Sequence, residues 1–149
     1  MEEVSVFIRD AREDDLPRLA EIETVCFTHP WTEGAFRWST EEGKRLLTAC
    51  AGDTVLGYVA LWPILDEGEI ANVAVAPEAR RKHVGDALLT AAEALARELG
   101  LVRLQLEARA GNAPALALYK KHGFAVVGQR KDYYETPRED AVLMTLELN

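Results

Sequence analysis

The chain predicts an α/β domain: a mixed, mostly antiparallel sheet of six to seven strands, about four helices, and one central parallel strand pair. Three observations carry that prediction. Residues 46–62 read as a β-hairpin, because two strand-like runs, Leu46 to Ala51 and Val55 to Trp62, flank the turn residues Gly52 and Asp53. Residues 70–108 read as strand, helix and strand, a crossover that makes its two strands parallel. The chain then closes with a capped helix and two more strands, 124–128 and 141–148. A single domain over residues 1–149 accommodates every element, with no repeat, linker or low-complexity stretch.

Taken in order, Val4 to Ile8 is the first expected strand, and Arg9, Asp10 and Ala11 leave it. Asp14 or Asp15 caps the following helix, with Pro17 tolerated in its first turn. Leu16, Leu19, Ala20, Ile22 and Cys26 or Phe27 form its buried side, whereas Arg18, Glu21 and Glu23 are expected in water. Thr28 to Trp31 turns into a short helix with Thr32 as N-cap. The aromatic residues crowded here, Trp31 and Phe36 among them, serve either as a lid on the core or as the wall of a substrate pocket.

Gly57 inside the second hairpin strand predicts a bulge. Asp66, Glu67 and Gly68 turn the chain into a strand carrying Ile70, Val73 and Val75, which Pro77 stops. Ala87, Leu88, Ala91, Ala92, Leu95 and Leu99 mark a long helix ended by Gly100 in the C′ position. The next strand alternates, with Val102, Leu104, Leu106 and Ala108 on one face and Arg103, Gln105 and Glu107 on the other. Asn112 caps the last helix, Pro114 sits in its first turn, and His122 with Gly123 closes it. Lys131 to Arg138 is expected to join the two final strands.

Composition excludes several function classes. A 48% hydrophobic and 28% charged chain is an ordinary globular one, and its net charge of −8 argues against a nucleic-acid partner while suiting a basic peptide or a cationic amine. No apolar run approaches the ~18 residues of a membrane span. The start Met1-Glu2-Glu3 is unlike a signal peptide, so a cytoplasmic location without membrane attachment is expected. Cys26 and Cys50 fit no metal or redox spacing and are expected reduced. His29, His83 and His122 lack metal spacing, and no metal is expected. Neither a nucleotide P-loop nor a Gly-x-Ser-x-Gly elbow is present.

The stretch between the parallel strands is the informative one. Arg80, Arg81 and Lys82 precede the long helix, and cations at a helix N-terminus face its positive end at a cost of ~0.3–1 kcal/mol each. An anion on the first-turn N–H groups would reverse that sign, because amides, dipole and side chains would then all face negative charge.

This segment, Arg80-x-x-His83-x-Gly85, resembles the acyl-CoA pyrophosphate loop of the GNAT N-acetyltransferase family, Gln/Arg-x-x-Gly-x-Gly/Ala. His83 replaces the first glycine, and Asp86 stands where a small or basic residue is common. Asn112-x-x-Ala115-x-x-Leu118-Tyr119-x-x-x-Gly123-Phe124 matches a second segment of the same family at every position. His29 to Phe36, Leu106 to Arg109, Arg130 to Tyr134 and Glu139-Asp140-Ala141 are similar to the RimI-type branch, so the resemblance spans essentially the whole chain.

The resemblance implies the GNAT fold, with helices on both faces of the sheet, and acetyl-CoA as cosubstrate. It implies transfer of acetyl to the α-amine of a protein N-terminus, for this branch an alanine-initiated small-subunit ribosomal protein, by a monomer or weak dimer. Glu107 would be the general base and Tyr119 the general acid. Val73, Ala74 and Val75 would polarise the thioester carbonyl through their amides. Arg80, Arg81, Lys82, His83, Val84, Gly85 and Asp86 would cradle the pyrophosphate, and Asn112 would touch the coenzyme arm. Trp31, Phe36, Tyr133 and Tyr134 would shape the peptide slot. An α-ammonium of pKa ~8 facing a carboxylate of pKa ~4.3 makes proton transfer uphill by about 5 kcal/mol, so Glu107 is expected either to be raised by burial or to act through water. A tyrosine would reprotonate a thiolate at a cost of only about 2 kcal/mol. Two other readings stand beside this one: acetylation of a small-molecule amine, and an acyl-CoA-binding sensor without turnover.

Overall fold

The computed structural model describes residues 5–135 and 137–148. Among them, seven strands and four α-helices follow in the order β1 (Phe7–Asp10), α1 (Leu16–Cys26), α2 (Glu33–Trp38), β2 (Arg45–Ala51), β3 (Thr54–Ile64), β4 (Glu67–Val75), α3 (Val84–Glu98), β5 (Arg103–Arg109), α4 (Ala113–Lys121), β6 (Ala125–Tyr134) and β7 (Glu139–Glu147). The sheet order is β1-β2-β3-β4-β5-β7-β6. Val4, part of the first expected strand, and Thr136 of the expected final connection lie outside the described residues. The chain packs as two compact units. One holds the described residues up to Trp62 with Ala71–Ala92, and the other holds Pro63–Ile70 with the described residues from Glu93 onward.

In the first unit, β1 pairs antiparallel with β2, and β2 with β3. Arg9 and Asp10 belong to β1 rather than leaving it, because they register against Thr48 and Leu47. The expected irregularity at Gly57 is present: Ala49 faces Gly57 but Cys50 faces Val55, so β3 carries one extra residue there. The glycine itself answers a separate demand, since a Cβ at residue 57 would lie 2.6 Å from the Ala74 carbonyl oxygen. The core gathers Leu16, Leu19 and Ile22 of α1 with Phe36, Tyr58, Leu61 and Leu88.

Helix starts follow the sequence closely, with one exception. Thr32 caps α2 by accepting the Ala35 N–H at 3.2 Å. Asp15 stands at the N-cap of α1, yet its carboxylate accepts Arg9 at 2.6 and 3.0 Å and the Arg12 N–H at 2.7 Å instead of capping that helix. Glu23, expected in water, is only 2% exposed. Its spacing from Leu16 and Leu19 is that of the apolar stripe, and helical period overrides side-chain polarity there.

In the second unit, β4 runs parallel to β5 with Glu67↔Arg103, Gly68↔Leu104 and Glu69↔Gln105. Glu67 and Gly68 thus begin a strand instead of forming a turn, because Gly68 is buried in this pairing. Antiparallel β7 lies between β5 and β6. β5 keeps the alternation read from sequence, with Leu104, Leu106 and Ala108 buried and Gln105 and Glu107 exposed. β6 extends well past Gly128 and absorbs Lys131 to Tyr134, since Tyr134 pairs with Glu139 after an irregularity in which Asp132 takes φ 53°. Gly100 at φ 76° ends α3, with the Leu101 N–H returning to the Ala96 carbonyl, while Leu99 lies beyond the helix and is exposed. Among the described residues no helix is long and apolar enough to cross a membrane.

The Arg9–Asp15 pair has a pH signature. The Arg9 guanidinium holds the Asp15 carboxyl below its ordinary range, so the stability it confers is complete above the unfolded-state pKa of ~3.9 and is lost as pH falls through the depressed value. Asp15→Asn is therefore expected to cost about 1.5–3 kcal/mol at pH 7. Urea melts should find that penalty undiminished at pH 6 and shrinking below pH ~4.

Candidate active site

Glu107 is carried to its place by the alternation of β5, which turns Arg103, Gln105, Glu107 and Arg109 to the face opposite the buried leucines. Parallel pairing brings Glu69 opposite Gln105, one pleat from Glu107. Burial, then the charge of Glu107, raises the Glu69 carboxyl above its ordinary range. Glu107 itself is exposed.

Two tyrosines, Tyr133 and Tyr134, feel the charge of Glu107, and a third, Tyr119, is affected by Tyr134. The Tyr133 hydroxyl is hydrogen-bonded to Glu107, and that carboxylate raises the phenol. Arg130 lies 3.9 Å from Glu107 and 5.4 Å over the Tyr133 ring. Tyr134 meets Tyr133 edge to face at 5.2 Å and is raised by burial and then by Glu107. Tyr119 of α4 is 8% exposed and stacks edge-on against Phe124. Burial and, less strongly, Tyr134 push its phenol up to about 12. At that value the hydroxyl is fully protonated at neutral pH. Handing its proton to a thiolate of pKa ~8.5 in a separate step would cost about 5 kcal/mol, more than for a solvated tyrosine.

Arg109, at the end of β5, holds the segment that follows Tyr134. Its guanidinium sits 4.4 Å over the Tyr134 ring, donates to the Glu139 carboxylate at 3.2 Å, and donates to the carbonyls of Pro137 at 3.0 Å and Glu135 at 3.4 Å. The Glu139 carboxylate in turn accepts the Gly111 N–H, and a Cβ at residue 111 would collide with it. Asn112 follows, capping α4 by accepting the Ala115 N–H at 3.3 Å.

In the first unit, the basic turn enters α3 through two left-handed residues, Arg81 at φ 65° and His83 at φ 61°. The family pattern places glycine at residue 83, and this backbone conformation is the reason glycine suits it. The imidazole projects outward, 82% exposed, with Nδ1 3.1 Å from Asp86. Arg81, Lys82 and His83 are all exposed, Val84 is buried and Gly85 half-buried, and Arg80 reaches back to the Cys26 sulfur at 3.3 Å. Exposed cations beside left-handed residues and the start of α3 fit an anionic pyrophosphate. Ala74 is buried, and Val73 and Val75 are half-buried on β4.

Trp31 stacks on Trp62 at 5.5 Å and meets Phe36 edge-on at 5.2 Å. Phe36 is completely buried against Tyr58, so it packs the core and could influence a peptide only through the half-exposed Trp31. Both cysteines carry thiols. No group of three or more His, Cys, Asp or Glu that could hold a metal occurs among the described residues. Sequence reasoning missed Glu69, whose signal was its register beside Glu107, and Glu23, whose signal was helical period.

A mixed sheet with a parallel strand pair is the architecture of an N-acetyltransferase. The chain belongs to the acetyltransferase (GNAT) family, which its residues 10–124 match and whose members use acetyl-CoA. It is 37% identical over 140 residues to the [ribosomal protein bS18]-alanine N-acetyltransferase of Salmonella typhimurium, covering 91% of this chain and 93% of that one. Among solved structures, the ribosomal-protein-S18-alanine N-acetyltransferase of Escherichia coli superposes with a TM-score of 0.91 at 32% identity, covering 97% and 95% of the two chains. Ard1 of Thermoplasma volcanium superposes with a TM-score of 0.89 at 25% identity, covering 98% and 99%.

Two outcomes test this geometry. His83→Gly removes a left-handed side chain and should stabilise the protein by ~1 kcal/mol in thermal melts, with acetyl-CoA bound no more weakly by calorimetry. Glu69→Gln should raise Tm at pH 7, because a raised carboxyl penalises the folded state only where it ionises. The gain should vanish near pH 4, below the unfolded-state value of ~4.3.

Proposed function

We propose that this protein transfers acetyl from acetyl-CoA to the α-amine of a protein N-terminus, with an alanine-initiated ribosomal protein of the small subunit as its substrate in the cytoplasm. The observation that carries the proposal is the Glu107 carboxylate, hydrogen-bonded by Tyr133 and flanked by Glu69. Negative charge rimmed by tyrosines attracts an α-ammonium and offers its proton an acceptor. The names of the relatives that match more than nine-tenths of the chain support the same substrate class.

In this reading Glu107 takes the amine's proton through solvent, as its exposure allows. The α-amine suits such a base, because about a quarter or more of it is already neutral near pH 7.5, against ~0.1% of a lysine side chain. Acetyl-CoA supplies the activated acyl group. The amides of Val73, Ala74 and Val75 polarise its carbonyl, and Tyr119, protonated across the neutral range, supplies the proton to the departing thiolate. Arg80, Arg81, Lys82, His83, Val84, Gly85 and Asp86 hold the pyrophosphate, and Asn112 contacts the coenzyme arm. Trp31, Tyr133 and Tyr134 line the peptide slot.

Glu107→Gln and Tyr119→Phe should each lower kcat at least ~10-fold, the usual weight of a general acid or base. Acetyl-CoA affinity should stay within about twofold by calorimetry, since neither group is assigned to holding the coenzyme. Thiol release measured with alanine-initiated peptides, polyamines and amino sugars should favour the peptides. Turnover confined to the small amines would overturn the assignment.

A further inference from the structure

Glu23 is the buried charge that the proposed mechanism leaves unused. It is 2% exposed, on the core side of α1. Its Oε1 accepts the Tyr58 hydroxyl and, at 2.7 Å, the Asn72 side-chain amide. Its Oε2 accepts the backbone N–H of Trp31 at 3.0 Å. These donors come from β3, from β4 and from the turn before α2, three segments far apart in sequence. Asn72 immediately precedes Val73–Val75, and Trp31 is the half-exposed member of the aromatic group built on Phe36, Tyr58 and Trp62. The ring contacts within this group are stacked or edge-on and the Trp62 indole donates to Ser39, so the carboxylate is what ties the Trp31 backbone to β4. A buried ion held by several donors tolerates little displacement, because losing any one of them leaves charge uncompensated.

We propose that Glu23 is a positioning residue for the peptide substrate: by gripping the Trp31 N–H and the Asn72 amide with one carboxylate, it sets the aromatic wall relative to the Val73–Val75 segment. The protein's preference for a peptide over a bare amino-acid amide is then determined in part by a group that touches neither. This rests on the reading that Trp31 contacts the peptide beyond its first residue.

The test compares kcat/KM for an alanine-initiated hexapeptide with kcat/KM for alaninamide, at saturating acetyl-CoA and with the full chain. The ratio is unaffected by loss of folded protein, since both substrates meet the same active fraction. Trp31→Ala and Glu23→Met should each lower the ratio about tenfold, mainly through the peptide KM, as expected when ground-state binding is lost. Glu23→Gln, which keeps one carbonyl acceptor, should recover part of the loss. Tyr58→Phe retains the ring against Phe36 and removes one donor, and it should lower the ratio about threefold even if Glu23→Met fails to fold. An unchanged ratio in Trp31→Ala would remove both the wall and the proposal. A lowered ratio in Trp31→Ala with unchanged ratios in the Glu23 and Tyr58 variants would leave the wall standing and overturn the role of Glu23.

Discussion

A carboxylate stripped of water must be matched donor for donor, and in the first unit that requirement organises everything around Glu23. Leaving such a group unpaired costs several kcal/mol, more than most single packing contacts supply. The hydroxyl of Tyr58, the amide of Asn72 and the N–H of Trp31 meet the requirement together. Tyr58 shows the strength of the coupling, since burial and the neighbouring carboxylate hold its phenol far above the ordinary range, fixing it as a donor. Around that polar centre the aromatic rings stack, and Gly57 lets the backbone of Ala74 approach.

The second unit is held by a different logic, strand alternation followed by a cation. Period two sends Leu104, Leu106 and Ala108 inward and leaves Gln105 and Glu107 outward, so the polar face that carries Glu107 follows from packing the opposite one. Arg109 then closes the edge. It joins the Tyr134 ring, Glu139 and two backbone carbonyls, and Glu139 extends the contact to Gly111 beside the cap of α4. Residues that stand out in sequence only as a motif, Arg109 and Glu139, thereby gain a physical reason: they order the strand end that carries the tyrosines.

The basic turn illustrates how one backbone angle can outweigh a residue's identity. His83 occupies a left-handed position that ordinarily selects glycine, and it does so with its ring in solvent, where the substitution costs strain but blocks no amide. The departure from the family pattern leaves the left-handed backbone of the turn in place.

By itself the sequence determined what depends on local rules. Alternation defined β5, Thr32 and Asn112 marked helix starts, Gly100 and Gly123 marked helix ends, and the order of strand, helix and strand implied the parallel pair. Tertiary structure alone decided which polar groups lose water. Glu23 goes inside because helical period places it among leucines and three distant donors await it. Asp15 abandons its cap for Arg9, and β6 runs on to Tyr134 because β7 offers it a partner. Glu69 acquires its raised carboxyl through burial and then through the charge of Glu107, beside which parallel pairing sets it. Such outcomes rest on partners in other elements, near in sequence for Asp15 and Tyr134 and far from it for Glu23 and Glu69, and local propensity carries no information about them.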